Sequence, residues 1–165
     1  FEQYLHDLAI VTDFALTNRR TMADLICDAM GFKIKDRFSC IHNYIDTERM
    51  ILRKGAISAR QGERVLIPLN MRDGVILGYG LGNPDWNFSA PHGAGRACNR
   101  TDARYAYTVE EFQKQMTGIY TTTANEGSLD ECPMAYKAPE RILEFLSDSV
   151  EVEQIAKPIY NFKAC

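Results

Sequence analysis

The chain has no C-x-x-C pair, and its five cysteines (Cys27, Cys40, Cys98, Cys132 and Cys165) are odd in number and irregularly spaced. A zinc ribbon or disulfide framework is disfavoured, and a reducing compartment, the cytoplasm, is expected. No signal peptide opens the chain and no apolar run approaches the ~20 residues that span a bilayer, so no membrane partner is expected. Positive charge is not in excess. The net charge of −3 excludes a bulk electrostatic nucleic-acid binder and leaves any such contact to a local patch. There is no G-x-S-x-G elbow, which weighs against an esterase. Gly78-x-Gly80-x-Gly82 is followed by the turn Asn83-Pro84 rather than a helix, so it is not a dinucleotide fingerprint. No repeat, low-complexity tract or linker divides residues 1–165, which read as one domain. An initiating methionine is also lacking: Phe1 leads almost at once into a helical pattern, as in a piece of something longer.

What is present suits an ordinary globular protein, with 45% apolar and 25% charged residues. A chain of this length buries about two-thirds of its unfolded surface. Apolar residues at helical spacing from Leu5 to Ala29, stopped by Gly31, predict one long helix or two in tandem over 3–30. His6 reads as a partly exposed helix residue. Phe32 to Ile34, Phe38 to Ile45 and Met50 to Leu52 read as strands. Cys40 and His42 would then share a strand face, which permits shared metal ligation but more often means two packed core residues. Arg53-Lys54 before Gly55 offers cations to a phosphate or simply to water. Val65 to Leu69 and Val75 to Leu77 flank a turn at Met71 to Gly74. Six of the eleven glycines fall between Gly74 and Gly95, where backbone must approach either a ligand or another backbone closely. Thr108 to Glu111 forms a capping box for a helix through Met116. Asp130-Glu131 precedes Pro133 as a substrate site or a solvated turn. Pro139 starts a helix to Leu146, and Val150 to Ile155 is a strand or short helix. The expected class is α+β: a long N-terminal helix, a strand-rich mixed or antiparallel middle, and short helices toward the C-terminus.

Chemistry concentrates in Ser89 to Arg100, where His92 stands on a glycine turn. Pro91 keeps the approach extended, and a helix-compatible run carrying Arg96, Arg100 and Arg104 follows. His92 reads as a nucleophile, a general base, a metal ligand or a helix-start residue. Its glycine neighbours favour an accessible imidazole that attacks phosphorus beside the Gly93 to Arg96 N–H groups, so phosphoryl or nucleotidyl transfer fits best. The three arginines are either a solvated face paired with Asp102, Glu110 or Glu111, or phosphate ligands. Their register behind the turn favours phosphate.

Several stretches together resemble one family, the RtcB-type RNA-splicing ligases. They are Tyr4-Leu5 with Asn18-Arg19, His42-Asn43-Tyr44, Arg53 to Ala56, Ile67-Pro68 with Asn70-Met71, Gly82-Asn83, Ser89 to Arg96, Asp130 to Lys137, and Lys157 to Ala164. The resemblance implies a GTP- and manganese-dependent enzyme that joins an RNA 3′-phosphate or 2′,3′-cyclic phosphate to a 5′-hydroxyl, with tRNA halves or broken RNA as partners. It implies that His92 carries the guanylate, that His42 ligates manganese, and that Asn43, Pro68, Leu69, Asn70, Met71, Gly93, Ala94, Gly95, Tyr136 and Lys163 contact the nucleotide. Leu69 stands where the family commonly has glycine, and Val75 where it has serine. The family's other metal ligands lie in an N-terminal portion without counterpart here. The chain therefore resembles the C-terminal part only, with that N-terminal part as its expected partner and the chain alone expected to be inactive. A fragment that binds nucleotide, RNA or a partner without turnover is the alternative.

Overall fold

The computed structural model describes residues 1–163; Ala164 and Cys165 lie outside them. In chain order the elements are helix α1 (Glu2–Met30), strands β1 (Asn43–Asp46), β2 (Ile51–Lys54), β3 (Ala56–Ser58), β4 (Arg64–Asn70), β5 (Gly74–Gly80) and β6 (Ser89–Pro91), helices α2 (Arg100–Ala106) and α3 (Val109–Gln115), strand β7 (Tyr120–Thr121), helix α4 (Pro139–Leu146), and strands β8 (Val150–Ala156) and β9 (Tyr160–Asn161). Short 3₁₀ turns occupy Pro84–Trp86, Glu126–Glu131 and Pro133–Ala135. The class is α+β, as the order of the patterns predicted.

Helix α1 is a single 29-residue element, and Gly31 stops it. At φ +66° Gly31 turns the chain into the left-handed region, and its N–H with that of Phe32 donates to the carbonyls of Asp28 and Cys27. None of the helix residues is buried, and Ile10, Val11, Phe14, Leu25 and Ile26 face outward. The strands expected at Phe32 to Ile34 and through Phe38 to Ile41 do not form. Among the described residues no strand pairs with this backbone; side chains tether it instead, through Arg37 on Asp24, Arg64 on Asp36 and the Arg64 guanidinium 4.0 Å over the Phe38 ring. A strand needs a ladder partner as well as a favourable composition.

Strands β4, β5 and β8 form an antiparallel sheet with β5 central. Val65, Ile67, Leu69 and Ile76 alternate inward and meet Ile142 and Leu146 of α4, which makes the first buried cluster. The glycines of β5 let other backbone approach closely: a Cβ on Gly80 would come within 2.3 Å of the Ala59 carbonyl carbon, and one on Gly74 within 2.1 Å of the Ala156 carbonyl oxygen. A second cluster joins Met71, Ala103, Phe112, Met116, Leu129 and Cys132 under α2 and α3. The capping box of α3 is present, Thr108 accepting from the Glu111 N–H while the Glu111 carboxylate accepts from that of Thr108. Two small antiparallel pairs, β1 with β2 and β3 with β6, carry the residues of interest out of this frame.

Removing the wholly buried Ile76 side chain (Ile76→Ala) is expected to cost about 2–5 kcal/mol in urea denaturation of the chain. Leu25→Ala, on the bare side of α1, is expected to change it by less than about 0.5 kcal/mol.

Candidate functional site

Strand β6 delivers His92 to the surface, where its ring Nδ1 lies 2.6 Å from the carbonyl oxygen of Gly55. A carbonyl only accepts, so the neutral ring carries its proton on Nδ1 and its lone pair on Nε2. Gly55 sits between β2 and β3 at φ +68°, a conformation a side chain would strain. Its N–H donates to the carbonyl of His42 (2.9 Å) and to Oδ1 of Asn43 (3.1 Å). One residue thus holds both histidine segments, and the two imidazoles stack with centroids 4.9 Å apart and planes 9° from parallel.

His42 is therefore neither on a strand with Cys40 nor packed in a core. Cys40 leans on the first cluster with its Sγ toward the Arg64 carbonyl, while His42 lies at the surface against His92. Local sequence could not show this, because the partner is fifty residues away. The cover over the His42 ring, then the charges of His92 and Arg19, hold its pKa below the ordinary 6.5. Gly55 was not singled out as a site residue, although a glycine after Arg53-Lys54 at a strand junction is a signal for positive φ.

Beside this pair opens a cleft of about 830 Å³, the size of small-molecule sites. Pro68, Leu69, Asn70, Met71, His92, Gly93, Ala94, Gly95, Arg96, Tyr136 and Lys163 all line it. Asn43, His42, Arg100 and Arg104 do not. Leu69 and Met71 bury their side chains in the first and second clusters, which leaves their backbone for the cleft. The Asn70 carboxamide closes the turn, accepting from the N–H groups of Arg72 and Asp73 (both 2.9 Å) and donating to the Asp73 carboxylate. The Ala94 N–H is spent on the carbonyl of Pro68 (3.0 Å), which pins the histidine loop to the end of β4.

The arginine arrangement differs from expectation. Helix α2 begins at Arg100 with Asn99 as its cap, so Arg96 precedes the helix and the Gly93 to Arg96 N–H groups do not open it. The arginines' partners are Asp130 and Glu131 rather than Asp102, Glu110 or Glu111. Arg96 reaches Glu131 (2.5 Å), Arg100 reaches both carboxylates (2.6 Å each), and Arg104 reaches Asp130 (2.5 Å). Arg100 and Arg104 border a smaller hollow of about 390 Å³. Neither carboxylate is a solvated turn residue: Asp130 is buried, and Glu131 also accepts from Tyr136 Oη (2.6 Å) and Lys163 Nζ (3.1 Å). Burial raises the Glu131 pKa, but hydrogen bonds from Tyr136 and Lys163 and the charges of Lys163 and Arg100 outweigh it and leave the carboxyl below its ordinary value. Burial, then Glu131, pushes the Tyr136 phenol up to about 12, so it donates at every working pH.

Among the described residues no group of three or more histidine, cysteine, aspartate or glutamate side chains converges on a metal position. His42 alone does not fit a manganese ion. No helix among them is long and apolar enough to cross a membrane.

The folded pKa of His42 lies below its unfolded value. Neutral His42 therefore contributes stability above about pH 6.5, and this contribution is lost as the pH falls through the folded value. Proton NMR titration of the His42 ring is expected to give a midpoint below 6.5; one at or above it would contradict the desolvated stack.

The RNA-splicing ligase RtcB of Escherichia coli K12 is 32% identical over 169 residues, covering 92% of this chain and 41% of that protein. The tRNA-splicing ligase RtcB of Aeropyrum pernix is 27% identical over 180 residues, covering 87% and 37% respectively. That of Methanococcus maripaludis is 36% identical over 101 residues, covering 58% and 21%. The chain spans about two-fifths of the length of the first two relatives. The family described as tRNA-splicing ligase RtcB matches residues 1–164, and the chain belongs to that family.

Proposed function

We propose that this chain is the nucleotide-binding and guanylate-accepting part of a GTP-dependent RNA ligase that joins 3′-phosphate or 2′,3′-cyclic phosphate ends to 5′-hydroxyl ends. The observation that carries it is the Nδ1–H bond from His92 to Gly55, on a histidine that borders a nucleotide-sized cleft. With Nδ1 protonated, Nε2 attacks the α-phosphorus of GTP. The Nε2–P bond forms, the bond to the bridging oxygen breaks, and pyrophosphate leaves. The ring becomes cationic, and the Gly55 carbonyl stabilises that charge through Nδ1–H. An oxygen of the RNA 3′-phosphate, formed by water opening where the end is a 2′,3′-cyclic phosphate, then attacks the guanylate phosphorus and the Nε2–P bond breaks; the 5′-hydroxyl attacks the activated 3′-phosphate and displaces GMP. Pro68 to Met71, Gly93 to Gly95, Tyr136 and Lys163 hold the nucleotide, and Asn43 orders the Gly55 peptide beside it.

Manganese belongs to the proposal through His42, but this chain's donors do not complete a site for it. The other ligands are assigned to the additional length of the relatives. Arg96, Arg100 and Arg104 meet RNA phosphate only with donors left over from Asp130 and Glu131, which makes them a weakened phosphate patch. The small donor set also favours a second reading, a chain that binds nucleotide without turnover unless the rest of the ligase is present.

Full-length protein incubated with manganese and α-labelled GTP is expected to take up acid-labile, alkali-stable label that γ-labelled GTP does not give. His92→Ala is expected to lower labelling at least about 10³-fold while GTP binding is retained. Labelling that survives His92→Ala would overturn the assignment of the nucleophile. The 165-residue chain alone is expected to bind GTP without labelling.

A further inference from the structure

The β1–β2 hairpin that carries Asn43 also carries Arg53, whose side chain is only 1% exposed. Its Nε donates to Ser89 Oγ (2.9 Å), and one terminal nitrogen donates to Tyr44 Oη (3.0 Å) and Asp46 Oδ2 (3.1 Å). The other donates to the carbonyls of Asn87 and Phe88, both at 3.4 Å. All five guanidinium protons thereby have acceptors. A buried ion pair of this kind adds little net stability over an apolar replacement, so its contribution is the geometry it imposes. Arg60 shares Asp46 at 2.7 Å. Burial alone would raise the Asp46 carboxyl, but Arg60 and Arg53 outweigh it and hold it at about 2.

What Arg53 grips on the far side is unusual backbone. Asn87 and Phe88 are consecutive non-glycine residues at φ +50° and +53°, a left-handed conformation that persists only where the surroundings over-determine it. Six hydrogen bonds do so: three from side chains, two of them from Arg53 and one from Ser89 Oγ to the Asn87 carbonyl (2.8 Å), and three from backbone, the Asn87 and Phe88 N–H groups donating to the carbonyls of Pro84 and Asn83 and the Ala59 N–H donating to the carbonyl of Phe88. The Arg49 guanidinium adds a lid 4.6 Å from the Phe88 ring centroid. Immediately after this segment β6 begins, and it ends at Pro91, the residue before His92. On the near side, Arg53 faces Tyr44 in the β1–β2 ladder, two residues from His42.

We propose that Arg53 is the positioning residue of the His42–His92 pair: by joining the hairpin next to His42 to the left-handed segment that aims β6, it sets the offset at which the two imidazoles stack and at which His92 meets Gly55. Arg53 touches neither imidazole among the bonds described and acts through Ser89 and the Asn87–Phe88 carbonyls. The consequence for catalysis rests on the guanylate-acceptor reading; the consequence for ring geometry does not.

The test compares Arg53→Lys, Arg53→Met and Ser89→Ala in the full-length protein by nitrogen-15 NMR of the histidine rings and by the rate of labelling from GTP. Ser89→Ala removes one acceptor and leaves the ion pair, so it serves where an Arg53 variant fails to fold. The wild type is expected to show a slowly exchanging Nδ1 proton on His92 and a nuclear Overhauser contact between the two rings. Folded variants are expected to lose that proton signal and weaken the contact. Their labelling rate at saturating GTP is expected to fall roughly tenfold to a hundredfold, with GTP affinity changed less than about twofold. Arg53→Lys is expected to keep more of both signals than Arg53→Met. Unchanged ring signals in folded Arg53→Lys and Ser89→Ala would overturn the proposal, as would a loss confined to GTP affinity. If the wild type takes no label, the guanylate-acceptor reading falls, and the ring signals still decide the role of Arg53.

Discussion

The peptide unit at Gly55 is the constraint on which the candidate site depends. Its carbonyl determines which nitrogen of His92 carries the proton, and its N–H gathers the His42 carbonyl and the Asn43 side chain. Two segments distant in sequence meet on one residue, held at a φ that only glycine adopts without strain. Imidazole chemistry here is therefore specified by backbone rather than by an acidic orienting residue. A carbonyl cannot take the proton away, so it fixes the tautomer without competing for it.

Around the cleft the governing fact is charge compensation. Asp130 and Glu131 gather Arg96, Arg100, Arg104 and Lys163 into one network, with Tyr136 donating from a phenol that stays protonated. The four cations outnumber the two carboxylates, so the network keeps a net positive charge although each cation is already held by a carboxylate. A nucleotide entering it meets ordered donors whose positions are already set, which lowers the ordering cost of binding and moderates the purely Coulombic part.

Local structure was legible in the sequence wherever a local pattern decides it. Helix α1, the Thr108–Glu111 box, the Pro139 start of α4 and the Met71–Gly74 turn all stand where residue spacing and turn chemistry put them. Phe32 to Ile34 and Phe38 to His42 have strand composition without being strands, because composition says nothing about the presence of a pairing partner. Arg96, Arg100 and Arg104 fit a helical period, but Asn99 caps the helix after the first of them. Asp130 and Glu131 read equally as a substrate site or a solvated turn, because their partners are about thirty residues upstream in the chain. His92 stood out from its own neighbours, whereas His42 needed either the fold or the family to show its place.

Helix α1 and strand β5 sit at opposite ends of a range of dependence on the rest of the fold. The helix buries none of its residues, so its hydrogen bonds rest on local propensity along 29 residues, whereas β5 is laddered on both sides above a closed core. Their amide protons therefore keep two separate clocks. In deuterated water the α1 amides are expected to exchange first, turn by turn, and those of β5 only when the core itself comes apart.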